Sequence, residues 1–159
     1  FYLEEDIEKF IQRSSKILGI EIESAASKRL AQSARRTPRV ANRLLRRVRD
    51  FAHVHDHEKI TMEMVEATLE ILGVDHLGLD ATDRKLLLTL AEKFKGGPVG
   101  LSTLSAATNE EEDTLTDIYE PFLIQLGFLE RTPRGRMVTE RGYEHLGIDL
   151  PRKKQTNLL

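Results

Sequence analysis

The stretch RTPRVANRLLRRVRD, residues 36 to 50, decides the fold of the first half of this chain. Thr37 before Pro38 is a helix start: the hydroxyl can accept a free N–H of the first turn, and proline has no N–H to leave unpaired there. From that point Ala41, Leu44, Leu45, Val48 and Phe51 recur on one face, which predicts a helix from Pro38 to about Ala52. The same letters RTPR return at Arg131 to Arg134, but there Gly135 follows at once, and the stretch reads as a turn between two short strands.

Working outward, Ile7, Phe10, Ile11, Ser14, Ile17 and Leu18 predict a helix over 3–18, with Glu4, Glu5 and Asp6 at its positive end and Gly19 closing it. A second helix fits 24–34, opened by Ser24. A loop holding His53, His55 and His57 leads to Thr61, which caps a fourth helix carrying Val65, Leu69 and Leu72 and ending at Gly73. Residues 1–74 therefore read as a four-helix unit, and GVDHLGL (73–79) as the linker after it.

Beyond the linker, Asp80 or Thr82 can cap a helix with Leu86, Leu87, Leu90 and Phe94 that stops at Gly96-Gly97-Pro98. Val99 is a candidate for a very short strand, followed by helices near 101–107 and 112–125. Strands at Gly127–Glu130 and Arg136–Thr139 flank a turn at Pro133 to Gly135, and Thr139 caps a last helix to Leu146. Three helices followed by a two-stranded hairpin make a winged helix over 75–149. The tail, 150–159, is basic and expected to be disordered. The fold class is mainly α.

The 159 residues carry 24 Lys and Arg against 26 Asp and Glu, a net charge of -2, and no cysteine. Disulfides, a thiolate nucleophile and a cysteine zinc site are excluded. No apolar run approaches the roughly 20 residues that cross a bilayer, and no signal peptide is evident, so a cytoplasmic location and no membrane partner are expected. The near-neutral total conceals basic clusters at 35–49, 131–136 and 152–154 and an acidic one at 110–120. Such patches act locally, because fields are screened over about 10 Å at ordinary salt.

Arg39, Arg43, Arg46 and Asp50 form a second stripe on the helix that starts at Pro38. Arg39 lies in the first turn, where free N–H groups already favour an anion and a guanidinium can clamp a phosphate with two bonds. In a helix-turn-helix the second helix commonly enters the major groove. Here that helix begins Glu110-Glu111-Glu112-Asp113 and carries Asp117 and Glu120, which DNA repels. The hairpin offers Arg131, Arg134 and Arg136 instead. Phosphate contacts of that kind position DNA without reading its sequence. The histidines lack a partner set for a metal, no catalytic triad is evident, and GxxxxGK[ST] is absent, so this stretch hydrolyses no nucleotide by that route.

RTPRVANRLLRRVRDFA (36–52), DRKLLLTLAEKFKGGPVGLSTL (83–104), YEPFLIQLGFLERTPRGR (119–136) and YEHLG (143–147) together resemble the RuvB family, the AAA+ motor ATPases of bacterial Holliday-junction branch migration. The resemblance runs from Phe1 to about Ile148. It implies the small helical AAA+ lid followed by the C-terminal winged helix, beginning just after an ATPase core. It also implies that Arg39 is the sensor reaching the phosphates of ATP or ADP and that Tyr2 lines the nucleotide pocket. Arg131 and Arg136 fall on the family's DNA-contacting arginines, with Arg134 between them.

Mg2+ belongs, on this resemblance, to the ATPase core, so the stretch itself has no catalytic residue and no metal site. The implied partners are duplex DNA of Holliday junctions, RuvA, and further copies in a hexameric ring. Two family glycines are replaced, by Arg36 and Asn109. Read without the resemblance, the same residues also fit a winged-helix transcription regulator with a helical effector domain, or a metal hydrolase using the histidine loop.

Overall fold

In the computed structural model, which describes residues 1–151, helix α3 spans Pro38–Val54. Thr37 Oγ1 accepts the Val40 N–H at 3.4 Å, and Pro38 occupies the first turn. Ala41, Leu44, Leu45, Val48 and Ala52 are buried, so the predicted stripe is the core face. The helix runs past Ala52, which makes His53 helical and leaves only 55–58 as the loop. His55 is the reason for the extension: its ring stacks on Phe51 with centroids 4.3 Å apart, and its Nδ1 lies 2.8 Å from the Phe51 carbonyl oxygen.

Around α3 pack α1 (Glu4–Ile17), α2 (Ser24–Ser33) and α4 (Met62–Leu72), joined through Ile7, Ile11, Leu30, Leu45, Val65 and Leu69. Ser24 does not cap α2 as expected. It is the first helical residue, Glu23 precedes it in extended conformation, and the Ser24 carbonyl accepts the Ser27 hydroxyl instead. Thr61 caps α4 through the Met64 N–H, and Gly73 ends it at φ 64°. A two-residue parallel pairing, β1 (Glu21–Ile22) with β2 (Lys59–Ile60), joins the two connections; two residues are too few to show a period in sequence.

The stretch after Gly73 is fastened rather than loose. Asp75 Oδ1 accepts the N–H groups of Leu77 and Leu79, both at 2.9 Å, and Leu79 is fully buried. The chain divides into two compact units, the first being Phe1–Ala81 and the second starting at Thr82.

In the second unit α5 (Ala81–Leu88) continues into a π-helical turn, Thr89–Lys93, and α6 spans Leu101–Thr108. Next α7 (Glu112–Thr114), a second π-helical turn (Leu115–Tyr119) and α8 (Glu120–Gln125) follow without a break. Pro121 accounts for the irregular turn: it cannot donate to the preceding turn, and wider winding accommodates the missing bond. Gly127 at φ 74° and Phe128, whose N–H reaches the Leu123 carbonyl at 2.9 Å, close α8. That closure delays the first wing strand, so β3 is Leu129–Thr132 rather than starting at Gly127, and β4 is Gly135–Val138.

Arg131 pairs with Arg136 and Thr132 with Gly135, which leaves Pro133 and Arg134 at the tip. Val99, expected as a very short strand, forms an isolated antiparallel bridge to Arg136 on the other side. Thr139 caps α9 (Glu140–Leu146) through the Gly142 N–H at 3.1 Å. Core residues Leu86, Leu87, Leu90, Leu104, Leu115, Leu123 and Phe128 hold the unit together. The mainly α fold, helical bundle then winged helix, is the one expected. Among the described residues no helix is long and apolar enough to cross a membrane.

Candidate nucleotide and DNA contacts

In the first unit, the turn before α3 brings two of the predicted residues to one end of the bundle. Tyr2 donates its N–H to the Arg36 carbonyl at 3.1 Å, three residues before Arg39. Tyr2 is 57% exposed, and Arg39 is exposed with no hydrogen bond or ion pair among the described residues. An unengaged guanidinium on the first turn of a 17-residue helix is a ready phosphate clamp, since both the charge and the helix end favour an anion.

Arg35 and Arg36 adopt φ 54° and 53°, two successive residues in the left-handed region. Arg35 is held there by its side chain, whose Nε donates to the Gly78 carbonyl at 3.1 Å and whose Nη2 lies 3.8 Å from Asp80 Oδ2. Arg36 is exposed. A glycine would adopt this left-handed geometry without strain, as it would at Asn109, which ends α6 at φ 57°. Sequence reasoning missed Arg35 because its partners lie 43 and more residues away.

In the second unit the wing arginines are not equivalent. Arg134 sits exposed at the tip, its N–H on Thr132 Oγ1 at 3.3 Å. Arg131 and Arg136, cross-strand partners, both reach Glu120, which has no exposed surface. Arg136 Nε donates to Glu120 Oε1 at 2.5 Å and its Nη2 to Oε2 at 3.4 Å, while Arg131 Nη2 donates to Oε2. The side chain of Arg131 remains 51% exposed and that of Arg136 13%.

Glu120 therefore does not belong with the acids that repel DNA. The sequence placed it three residues from Asp117 and so on the same helical face, but the π-helical turn Leu115–Tyr119 shifts the phase and brings Glu120 inward. Glu111, Glu112, Asp113 and Asp117 stay exposed, so the helix in the groove-reading position remains acidic.

Backbone packing also fixes Arg136. Its N–H donates to the Val99 carbonyl at 2.8 Å and its carbonyl accepts the Val99 N–H at 3.0 Å. Gly135, at φ 135°, permits that approach, since a Cβ there would collide with the Val99 carbonyl. Of the histidines, His53 and His57 are exposed and His55 is engaged with Phe51. Among the described residues no group of three or more His, Asp or Glu could hold a metal ion.

The family model for the RuvB AAA lid domain matches residues 2–75, and that for the RuvB C-terminal winged helix domain matches 76–147. The solved Thermotoga maritima RuvB Holliday junction branch migration motor is 46% identical over 95% of this chain, with TM-score 0.92. Two single-substitution forms of that RuvB give the same identity, coverage of this chain and TM-score. This chain covers 50% and 51% of those two chains and 51% of the unsubstituted motor, so it spans about half the length of the RuvB chains it matches. Neither the transcription-regulator reading nor the hydrolase reading is consistent with two successive family matches of this kind. The chain belongs to the RuvB family, and it carries that family's lid and C-terminal winged-helix domains.

Proposed function

We propose that this chain forms the nucleotide-sensing lid and the DNA-gripping wing of an ATP-dependent motor that moves Holliday junctions in DNA recombination and repair. The observation that carries it is the pairing, in one chain of a branch-migration family, of an exposed first-turn Arg39 in the lid with a three-arginine wing in the winged helix.

Arg39 contacts the phosphates of ATP or ADP, and Tyr2 lines the nucleotide's pocket. The donor set fits the group: a guanidinium at a helix start offers two parallel N–H bonds to phosphate oxygens. Bound nucleotide supplies the free energy of phosphoryl transfer, while this chain's own part is to hold the phosphate end and exclude water beside it. Mg2+ enters with the nucleotide, and no residue here is assigned to it. The catalytic groups lie in the ATPase core, so the chain by itself is inactive as an ATPase.

Arg131, Arg134 and Arg136 contact duplex DNA through its backbone, with little preference for sequence. A hexameric ring, RuvA as the junction-binding partner and a cytoplasmic place of action complete this reading. It is tested by exchanging the corresponding half of a full-length RuvB for this chain and following ATP-driven movement of a labelled four-way junction. Movement that disappears with Arg39→Ala is expected; a folded hexamer that hydrolyses ATP but moves no junction would overturn it.

A further inference from the structure

We infer that Glu120 is the positioning residue of the DNA-binding wing: its buried carboxylate holds Arg131 and Arg136 in the arrangement that receives a backbone phosphate. The inference rests on the wing being the DNA contact proposed above.

Arg131 and Arg136 are directly opposed on β3 and β4, where two like charges repel. A carboxylate between them removes that repulsion and gives each guanidinium a fixed partner. Glu120 is suited to this because it is fully buried at the start of α8, with Pro121 and the π-helical turn Leu115–Tyr119 fixing its direction. Both of its oxygens are used, Oε1 by Arg136 Nε and Oε2 by Arg131 and by Arg136 Nη2.

The three groups together keep one positive charge, and that charge is presented unevenly. Arg136 is nearly enclosed and is also pinned through its backbone to Val99, so it fixes the carboxylate. Arg131 gives one edge of its fork to Glu120 and keeps about half its side chain toward solvent, so it is an oriented donor for an anion. A side chain held this way loses less rotamer freedom on binding than a free arginine.

The consequence runs against simple charge counting. Taking away a negative charge beside a DNA site should tighten binding, yet loss of Glu120 should weaken it. The test uses the full chain and a fluorescein-labelled duplex of mixed sequence, with anisotropy titrations across a range of salt. Glu120→Gln is expected to raise Kd roughly fivefold and lower the salt slope by about 1, as one phosphate fewer is neutralised. Asp117→Asn, an exposed acid on the same rod of helix, removes equal charge and should leave Kd equal or lower.

Arg136→Lys keeps the charge but cannot hold both carboxylate oxygens, so it too should weaken binding, and it decides the matter if Glu120→Gln unfolds the second unit. Adding Glu120→Gln to Arg131→Ala should cost less than about twofold more, because the two act through one contact. Folded Glu120→Gln and Arg136→Lys proteins that bind as tightly as the parent would overturn the inference while leaving the wing in place. If Arg131→Ala with Arg136→Ala also leaves binding unchanged, the wing reading falls, and the inference with it.

Discussion

Glu120 accepts the Nε–H of Arg136 at 2.5 Å, although the two residues are 16 apart in sequence and sit on a helix and a wing strand. The pairing joins the acidic helix to the basic wing at one buried point and leaves the remaining acids of that helix exposed. On the proposed function, a DNA duplex is met by the wing and repelled by the helix that, in many winged helices, enters the groove.

Replacing Arg131 and Arg136 together by alanine should weaken duplex binding and reduce the salt slope by about 1, since the two arginines and Glu120 together present one positive charge to one phosphate. Anisotropy titrations at several salt concentrations check both effects. Replacing Arg134 alone, at the exposed tip, should lower the slope by about 1 with no effect on stability.

Arg39→Ala, placed in a full-length RuvB carrying this chain, should reduce ATP turnover by at least tenfold while circular dichroism and melting temperature stay unchanged. Arg39 is exposed and holds nothing within the described residues, so the fold has no use for it. Normal turnover would remove it from the nucleotide site.

Arg36 stands at φ 53°, where a Cβ is strained. Arg36→Gly should stabilise the first unit by about 1 kcal/mol. Urea melts followed by circular dichroism check the sign. Arg35→Gly should not stabilise in the same way, because the relief of strain at φ 54° is offset by losing the bonds to Gly78 and Asp80.

Tyr143 is buried, its hydroxyl has no partner among the described residues, and burial raises its pKa above the usual tyrosine value. Tyr143→Phe should therefore stabilise the second unit by about 1 kcal/mol at neutral pH, since an unpaired buried hydroxyl is removed. The raised pKa also sets a sign. The unfolded chain loses this proton first, so the contribution is fully present below about pH 10 and is lost as pH rises through the folded-state value. Melting temperature should fall above about pH 10, and less steeply in the Phe variant.

Gly135→Ala should disrupt the wing, because a Cβ at φ 135° would strike the Val99 carbonyl. A loss of more than about 2 kcal/mol is expected from overpacking and backbone strain together. Duplex binding should weaken with it, as the Val99 bridge that fixes Arg136 opens.

The sequence alone determined the elements whose signals are local. Thr37-Pro38 started α3, Thr61 and Thr139 capped their helices, Gly73 ended one, and apolar spacing named the buried face of α3 and part of those of α1 and α4, where Ile17 and Leu72 prove exposed. Its letters also carried the family and, with it, the candidate roles of Tyr2, Arg39, Arg131, Arg134 and Arg136. What it could not contain was set by contacts between residues far apart in the chain. The two-residue β1–β2 pairing, the clamp of Arg35 on Gly78 and Asp80, and the inward turn of Glu120 each depend on a partner that no local period announces. Caps and amphipathic stripes are satisfied within one or two helical turns and so are visible in sequence; a buried charge is placed by whatever guanidinium the rest of the fold brings to it, and only the tertiary structure decides that.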